Sequence, residues 1–151
     1  MKFIKLTQGK HATVDDADYE WLNQWKWQAL VTVNGSYAVR VNSAGKSTRM
    51  HRLIMGTPIR LVIDHKNHRT LDNRRQNLRT CTQTENMQNK RPNRGRKFKG
   101  AYRDKKKWRS QIMCEGVMYC LGSHNTEEQA ARAYDEKAKE LHGQFAYLNF
   151  P

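Results

Sequence analysis

The chain has 151 residues, enough for one domain of ordinary size or two small ones, each burying a modest core. Lys and Arg number 28 against 14 Asp and Glu, a net charge of +14 with a pI near 10.0, which fits a densely anionic partner, nucleic acid before membrane. No stretch approaches the roughly 20 apolar residues that span a bilayer. The start, MKFIKLTQGKHATVDD, reaches acidic residues before any secretory-type apolar run develops, so a soluble, cytoplasmic and unexported protein is expected. Cys81, Cys114 and Cys120 form no CxxC pair and are odd in number, which argues against a zinc cage or a full disulfide set; all three are expected to be reduced and structural.

In chain order, residues 1–49 carry three of the four Trp, in EWLNQWKW, followed by two β-type runs, WQALVTV and YAVRV, around an Asn34-Gly35 turn signal. A short helix leading into a hairpin is predicted. From Met50 the pattern is polar: a strand-like LVID, a long irregular loop, an apolar touch at Leu78, and a helix opened by Thr82 with Glu85 three positions on, a capping-box spacing. Next comes KRPNRGRKFKG, which has Pro92, Gly95 and no apolar periodicity, and is expected to be an exposed connector. The domain boundary is placed there, giving 1–90 (an extension, 1–49, and a core, 50–90), a basic linker at 91–98, and a second module at 99–151.

In the second module three β-like pieces are predicted, Gly100 to Arg103, Lys107 to Met113 and Val117 to Leu121, with Glu115-Gly116 as a turn. One helix follows. Thr126 with Gln129 makes a capping box, Ala130, Ala133, Tyr134, Ala138 and Leu141 mark an apolar stripe, and Gly143 supplies the stop. Lys107, Arg109 and Gln111 share one face of their strand, while Trp108, Ser110 and Ile112 share the other, which should meet the helix. From Lys90 through Arg109 the chain carries Lys or Arg at eleven positions against the single acid Asp104. Such a tract follows phosphates without reading bases and is expected to fold only on DNA.

The chemistry concentrates between Ile63 and Lys90. Hydrolysing a phosphodiester takes a base for water, a cation for the phosphate and leaving oxygen, and a scaffold that aligns them. Asp64-His65 at a strand end offers a carboxylate for a metal beside an imidazole suited to general-base work at neutral pH. Asn86, on the helix, is the candidate second ligand, with Asn89 one turn along as an alternative, and this all-oxygen set favours one Mg²⁺ or Mn²⁺ ion.

The segments MHRLI, IDH, LDNRRQNLR and TQTEN resemble the HNH endonuclease family in its phage and intron-encoded homing form. That resemblance implies a ββα-metal (His-Me finger) module with His65 as general base, Asp64 as metal ligand, Asn77 as the asparagine that holds the loop, and Asn86 as the other ligand. The family's last His is thus an Asn here. His51 is expected to be structural, His68 to be a loop residue near DNA, and Arg74, Arg75 and Arg79 to be phosphate clamps. LTQGK and DYEWLNQWKW resemble an N-terminal extension of the same nuclease fold.

Residues 99–151 resemble the plant ethylene-responsive-factor DNA-binding domain, through KGAYRDKKKWRSQI, YCLGSHNTEEQAARAYDEKAKELHG and LNFP. The fold implied is a three-stranded antiparallel sheet in the major groove with one helix packed behind it. Tyr102, Arg103, Lys105, Lys107, Arg109, Gln111 and Tyr119 match the DNA-facing positions, and Arg94, Arg96 and Lys97 of the linker would add backbone contacts. Departures at Gly100-Ala101-Tyr102 and Gln111 prevent transfer of the plant target sequence.

An α+β chain is therefore expected, a metal-dependent DNA endonuclease working on double-stranded DNA in its host cell as a monomer or dimer, with no membrane partner and no small-molecule cofactor beyond the metal. The competing expectation is a sequence-specific DNA-binding regulator whose nuclease-like part is inactive. An RNA-binding protein fits the charge alone and leaves the catalytic spacing unexplained.

Overall fold

The computed structural model describes residues 1–33 and 35–151; Asn34, half of the expected turn signal, lies outside the described residues. The architecture is α+β, divided into two compact units, Met1–Gln83 and Thr84–Pro151.

In the first unit, strands β1 (Lys2–Lys5) and β2 (His11–Val14) pair antiparallel and alternate, so that Ile4, Ala12 and Val14 point into the core. Helix α1 (Asp16–Asn23) buries Leu22, and also Asp18. Strands β3 (Gln28–Thr32), β4 (Gly35–Val41) and β5 (Ser47–Arg49) form an antiparallel sheet in chain order. Helix α2 (Met50–Met55) stops at Gly56, whose φ of 56° is the left-handed conformation that glycine adopts without strain. Strands β6 (Val62–His65) and β7 (Leu78–Cys81) then pair antiparallel.

Ile4, Val14, Leu22, Trp27, Met50, Ile54, Ile63 and Leu78 belong to one apolar cluster. The first 49 residues thus share a core with the motif-bearing segment. The Trp-rich stretch is part of that core's wall, where Trp21, Trp25 and Trp27 meet edge to face at 5.8 and 6.3 Å. The predicted helix-to-hairpin order is present. The β1–β2 pair, β5 and α2 were not predicted, because elements of three to six residues hold too few repeats for a period to show.

In the second unit, strands β8 (Ala101–Asp104), β9 (Lys107–Cys114) and β10 (Val117–His124) form an antiparallel sheet in the order β10-β9-β8, and helix α4 (Glu127–His142) packs on it. The capping box is formed: the Gln129 amide donates to Thr126 Oγ1 at 3.2 Å, and the Thr126 amide donates to Gln129 Oε1 at 3.4 Å. On β9, Ser110 and Ile112 are buried while Lys107 and Arg109 are exposed, as alternation predicts. The helix face is rotated slightly from the predicted stripe, with Ala131 fully buried and Ala133 only partly. Phe98, Phe150 and Asn149 close over the Ala131 side, a contact that helical periodicity alone does not reveal. Gly100 sits at φ +78°, and a Cβ there would lie inside the Tyr134 ring, so only glycine fits.

The unit boundary falls at 83/84 rather than at 90/91. Helix α3 (Gln83–Gln88) groups, from its second residue on, with the second unit, and residues 91–98 are a folded part of that unit instead of a free connector. Phe98 is buried against Phe150 with ring centroids 5.1 Å apart, Arg96 lies 4.3 Å over the Tyr102 ring, and Lys97 meets Glu128 at 2.8 Å. A tract expected to order only on DNA is held by one aromatic anchor among its basic residues.

Candidate active site

His65 ends β6 opposite Leu78, one residue beyond the Asp64–Arg79 cross-strand pair. It is buried at 5% exposure. Its ring lies edge-on to His51 at 5.1 Å and to Tyr37 at 6.2 Å, and Tyr37 meets His51 at 5.8 Å, so three rings from β4, α2 and β6 fix one another. Burial holds the His65 imidazole below its ordinary pKa, against the Asn73 hydrogen bond, which raises it. His51 is lowered further, to about 3, chiefly by burial and then by His65, Arg49 and Arg52. Both rings are neutral at pH 7, and Asn73 Oδ1 stands 3.5 Å from His65 Nε2.

The loop from Lys66 to Asn77 is tied at several points. Asn77 accepts the Asn67 amide on Oδ1 at 3.0 Å and donates from Nδ2 to the Asp72 carbonyl at 2.8 Å, joining both ends of the loop. The amide of Asn73 donates to Thr13 of β2 at 2.8 Å, Thr70 Oγ1 donates to the Ser36 carbonyl of β4 at 2.6 Å, and the Arg75 amide donates to Asp15 at 2.8 Å. Asp72, Asn73, Asn67, Tyr37 and Asp18 were not among the expected site residues. The LDN triplet before RRQN was the available signal: short polar side chains that turn a backbone.

The three arginines expected as free phosphate clamps are each paired with a carboxylate inside the first unit. Arg74 grips Asp72 at 2.7 and 2.8 Å, Arg75 grips Asp18 at 2.7 and 2.8 Å, and Arg79 donates twice to Asp64 Oδ2 at 2.6 and 2.8 Å. The Arg74 guanidinium holds the Asp72 carboxyl below its usual range. Arg79 and Asp64 side chains are only 12% and 8% exposed, which makes this a buried ion pair and removes Arg79 from the surface that a backbone could track.

Asn86 and Asn89 lie at and just after α3, in the second unit; Asn89 is buried and Asn86 is not. On the sheet of that unit, cross-strand register decides which side chains share a face. Tyr102 opposes Arg109 and Cys120 opposes Gln111, so Tyr102, Lys107, Arg109 and Gln111 are coplanar neighbours. Arg103 opposes Trp108, however, and Tyr119 opposes Ile112, which puts both on the helix side. The Arg103 guanidinium lies 5.4 Å over the Trp108 ring, and Lys137 of α4 lies 5.5 Å over Tyr119. Their expected place on the docking face is therefore corrected: β8 and β10 follow the phase of β9, which composition does not give. Lys105 sits in the β8–β9 turn at φ 52°. Cys81 is buried, with Sγ donating to the Val62 carbonyl at 3.8 Å, and Cys120 is exposed; none of the three is in a disulfide among the described residues, and Cys120 is a surface group and not a core one.

Residues 50–88 match the HNH endonuclease family. The matched segment carries His51, Asp64, His65, Asn77 and Asn86. The chain is also similar to an uncharacterised HNH endonuclease of Acanthamoeba polyphaga mimivirus, 32% identical over 93 residues, which covers 61% of this chain and 49% of the relative. The match spans about half the length of that relative. Both comparisons name HNH endonucleases as the proteins that this segment is similar to. No solved structure matches the chain. Among the described residues no helix is long and apolar enough to cross a membrane, and no group of three or more His, Cys, Asp or Glu could hold a metal ion.

Proposed function

We propose that this protein is a metal-dependent HNH endonuclease of the homing type, hydrolysing phosphodiester bonds of double-stranded DNA, with the sheet β8–β10 docking the target. The observation that carries the reading is His65: a buried, neutral imidazole at a strand end, in the segment matching the HNH family, beside a loop knotted by Asn77. In the tautomer that donates Nε2–H to Asn73 Oδ1, Nδ1 is the basic nitrogen that takes the proton of the attacking water. Asn77 keeps the loop, and with it Asn73, in register with the imidazole.

The donor chemistry fits a hard divalent ion. One carboxylate and one amide oxygen are the oxygen donors that such an ion prefers, and Asp64 Oδ2 is the atom that the Arg79 guanidinium engages. Asp64 and Asn86 are the residues that would hold Mg²⁺ or Mn²⁺. When bound, the ion supplies charge neutralisation at the scissile phosphate and leaving oxygen. One such site cuts one strand, so a monomer nicks and a double-strand break takes a dimer or two successive events.

Residues 99–151 act, in this reading, as an ethylene-responsive-factor-like module whose Lys107, Arg109 and Gln111 face enters the major groove, with Arg94, Arg96 and Lys97 on the backbone. The Asp64–Arg79 pair gives one specific reason to keep the second reading, a DNA-binding regulator with a silent nuclease-like part, because the metal-binding carboxylate is already neutralised. Supercoiled plasmid incubated with the full chain separates the two. Relaxed or linear product with Mg²⁺ or Mn²⁺, lost with EDTA, is expected; intact plasmid under all metals, despite tight binding, assigns the regulator.

A further inference from the structure

The C-terminal end of α3 is gripped from within its own unit. Lys99 Nζ donates to the carbonyls of Gln88 at 2.6 Å and Met87 at 3.4 Å in the last turn of α3, and to that of Lys90 at 2.9 Å just beyond it, engaging all three donors of the ammonium. A six-residue helix has no stability of its own in water, so what fixes it is tertiary. The grip rests on a fixed base. The Lys99 backbone donates to Asn149 Oδ1 at 2.8 Å and accepts from Asn149 Nδ2 at 3.0 Å, and Asn149 is itself held to Asp135 of α4 by its amide at 2.9 Å and its Nδ2 at 2.8 Å. The Phe150 amide adds a bond to the other Asp135 oxygen at 2.9 Å. The Asp135–Asn149–Lys99 chain therefore runs from the helix behind the sheet to the helix that carries Asn86.

We propose that Lys99 is the positioning residue for Asn86: its ammonium fixes the last turn of α3 to the β8–β10 sheet unit, so that the helix bearing the amide ligand moves with the docking sheet. This rests on the reading of Asn86 as a metal ligand. The grip is cationic as well as geometric, because the carbonyl end of a helix carries partial negative charge. Burial lowers the Lys99 pKa to about 8, which leaves the group charged at neutral pH.

The test uses the full chain with Lys99→Met, which keeps the stem and removes the donors, Lys99→Arg, which restores a cation, and Asn86→Ala. Hydrogen–deuterium exchange of the peptide covering residues 84–90 is expected to speed up about tenfold in Lys99→Met, with the β8–β10 peptides unchanged, and to be largely restored in Lys99→Arg. The Mn²⁺ concentration for half-maximal plasmid cleavage is expected to rise about tenfold in Lys99→Met, with DNA affinity within threefold. Unchanged exchange over 84–90 overturns the clamp. Faster exchange with an unshifted Mn²⁺ requirement overturns the positioning role. Full cleavage by Asn86→Ala would instead remove the ligand assignment, and the exchange measurement would still decide the clamp.

Discussion

His51 carries the clearest thermodynamic consequence of any single side chain here. An imidazole titrates near 6.5 in the unfolded chain and, buried between His65, Tyr37, Arg49 and Arg52, near 3 in the folded one. Between those values the unfolded state binds the extra proton, so the contribution of neutral His51 to stability is complete above pH 6.5 and is lost as pH falls toward 3. Urea unfolding is expected to show about 2 to 3 kcal/mol less stability at pH 4.5 than at 6.5 from this group. His51→Phe should flatten that slope, and an unaltered slope in the variant would show that His51 is not the group. The place of Asn77 as the residue that ties the loop was legible in the sequence because its contacts, to Asn67 and Asp72, are local. Arg79 was not: whether an arginine faces solvent or a carboxylate fifteen positions away depends on strand register, and Asp64 opposite Arg79 turns an expected phosphate contact into a buried pair.

At the scale of elements, the sheet of the second unit separates residues that composition treats as equal. Arg103 and Arg109 are both exposed arginines on adjacent strands, yet register puts Arg109 with Lys107 and Gln111 and puts Arg103 with Trp108. Arg109→Ala is expected to weaken binding to a selected target by about 1 to 3 kcal/mol relative to random DNA, the scale of a base-edge contact. Arg103→Ala should weaken both alike. Competition binding on sequences selected from a random library checks this, and an equal loss of discrimination in both variants would contradict the face assignment. The capping box at Thr126 and the alternation along β9 were readable because each is a local rule repeated over enough residues. The β1–β2 pair and α2 were not, since four to six residues carry no period, and they exist because one shared core holds Ile4, Val14 and Met50 together.

For the molecule as a whole, two modules, a basic surface and a polyanionic partner follow from length and charge, and the chain folds as two units with separate cores. The boundary did not follow, because a basic, Pro- and Gly-containing tract has the composition of a linker while Phe98 and Lys99 inside it make the contacts of a fold. Charge of this size binds DNA with a steep salt dependence whether or not anything is cut, so affinity cannot report on hydrolysis. Whether His65 activates water is read from cleavage by His65→Ala measured beside its DNA affinity in the same buffer. Mg²⁺-dependent nicking is expected to fall by at least about 10²-fold, the lower range for general-base catalysis, while affinity stays within a few fold. Cutting by His65→Ala at the wild-type rate would contradict that role.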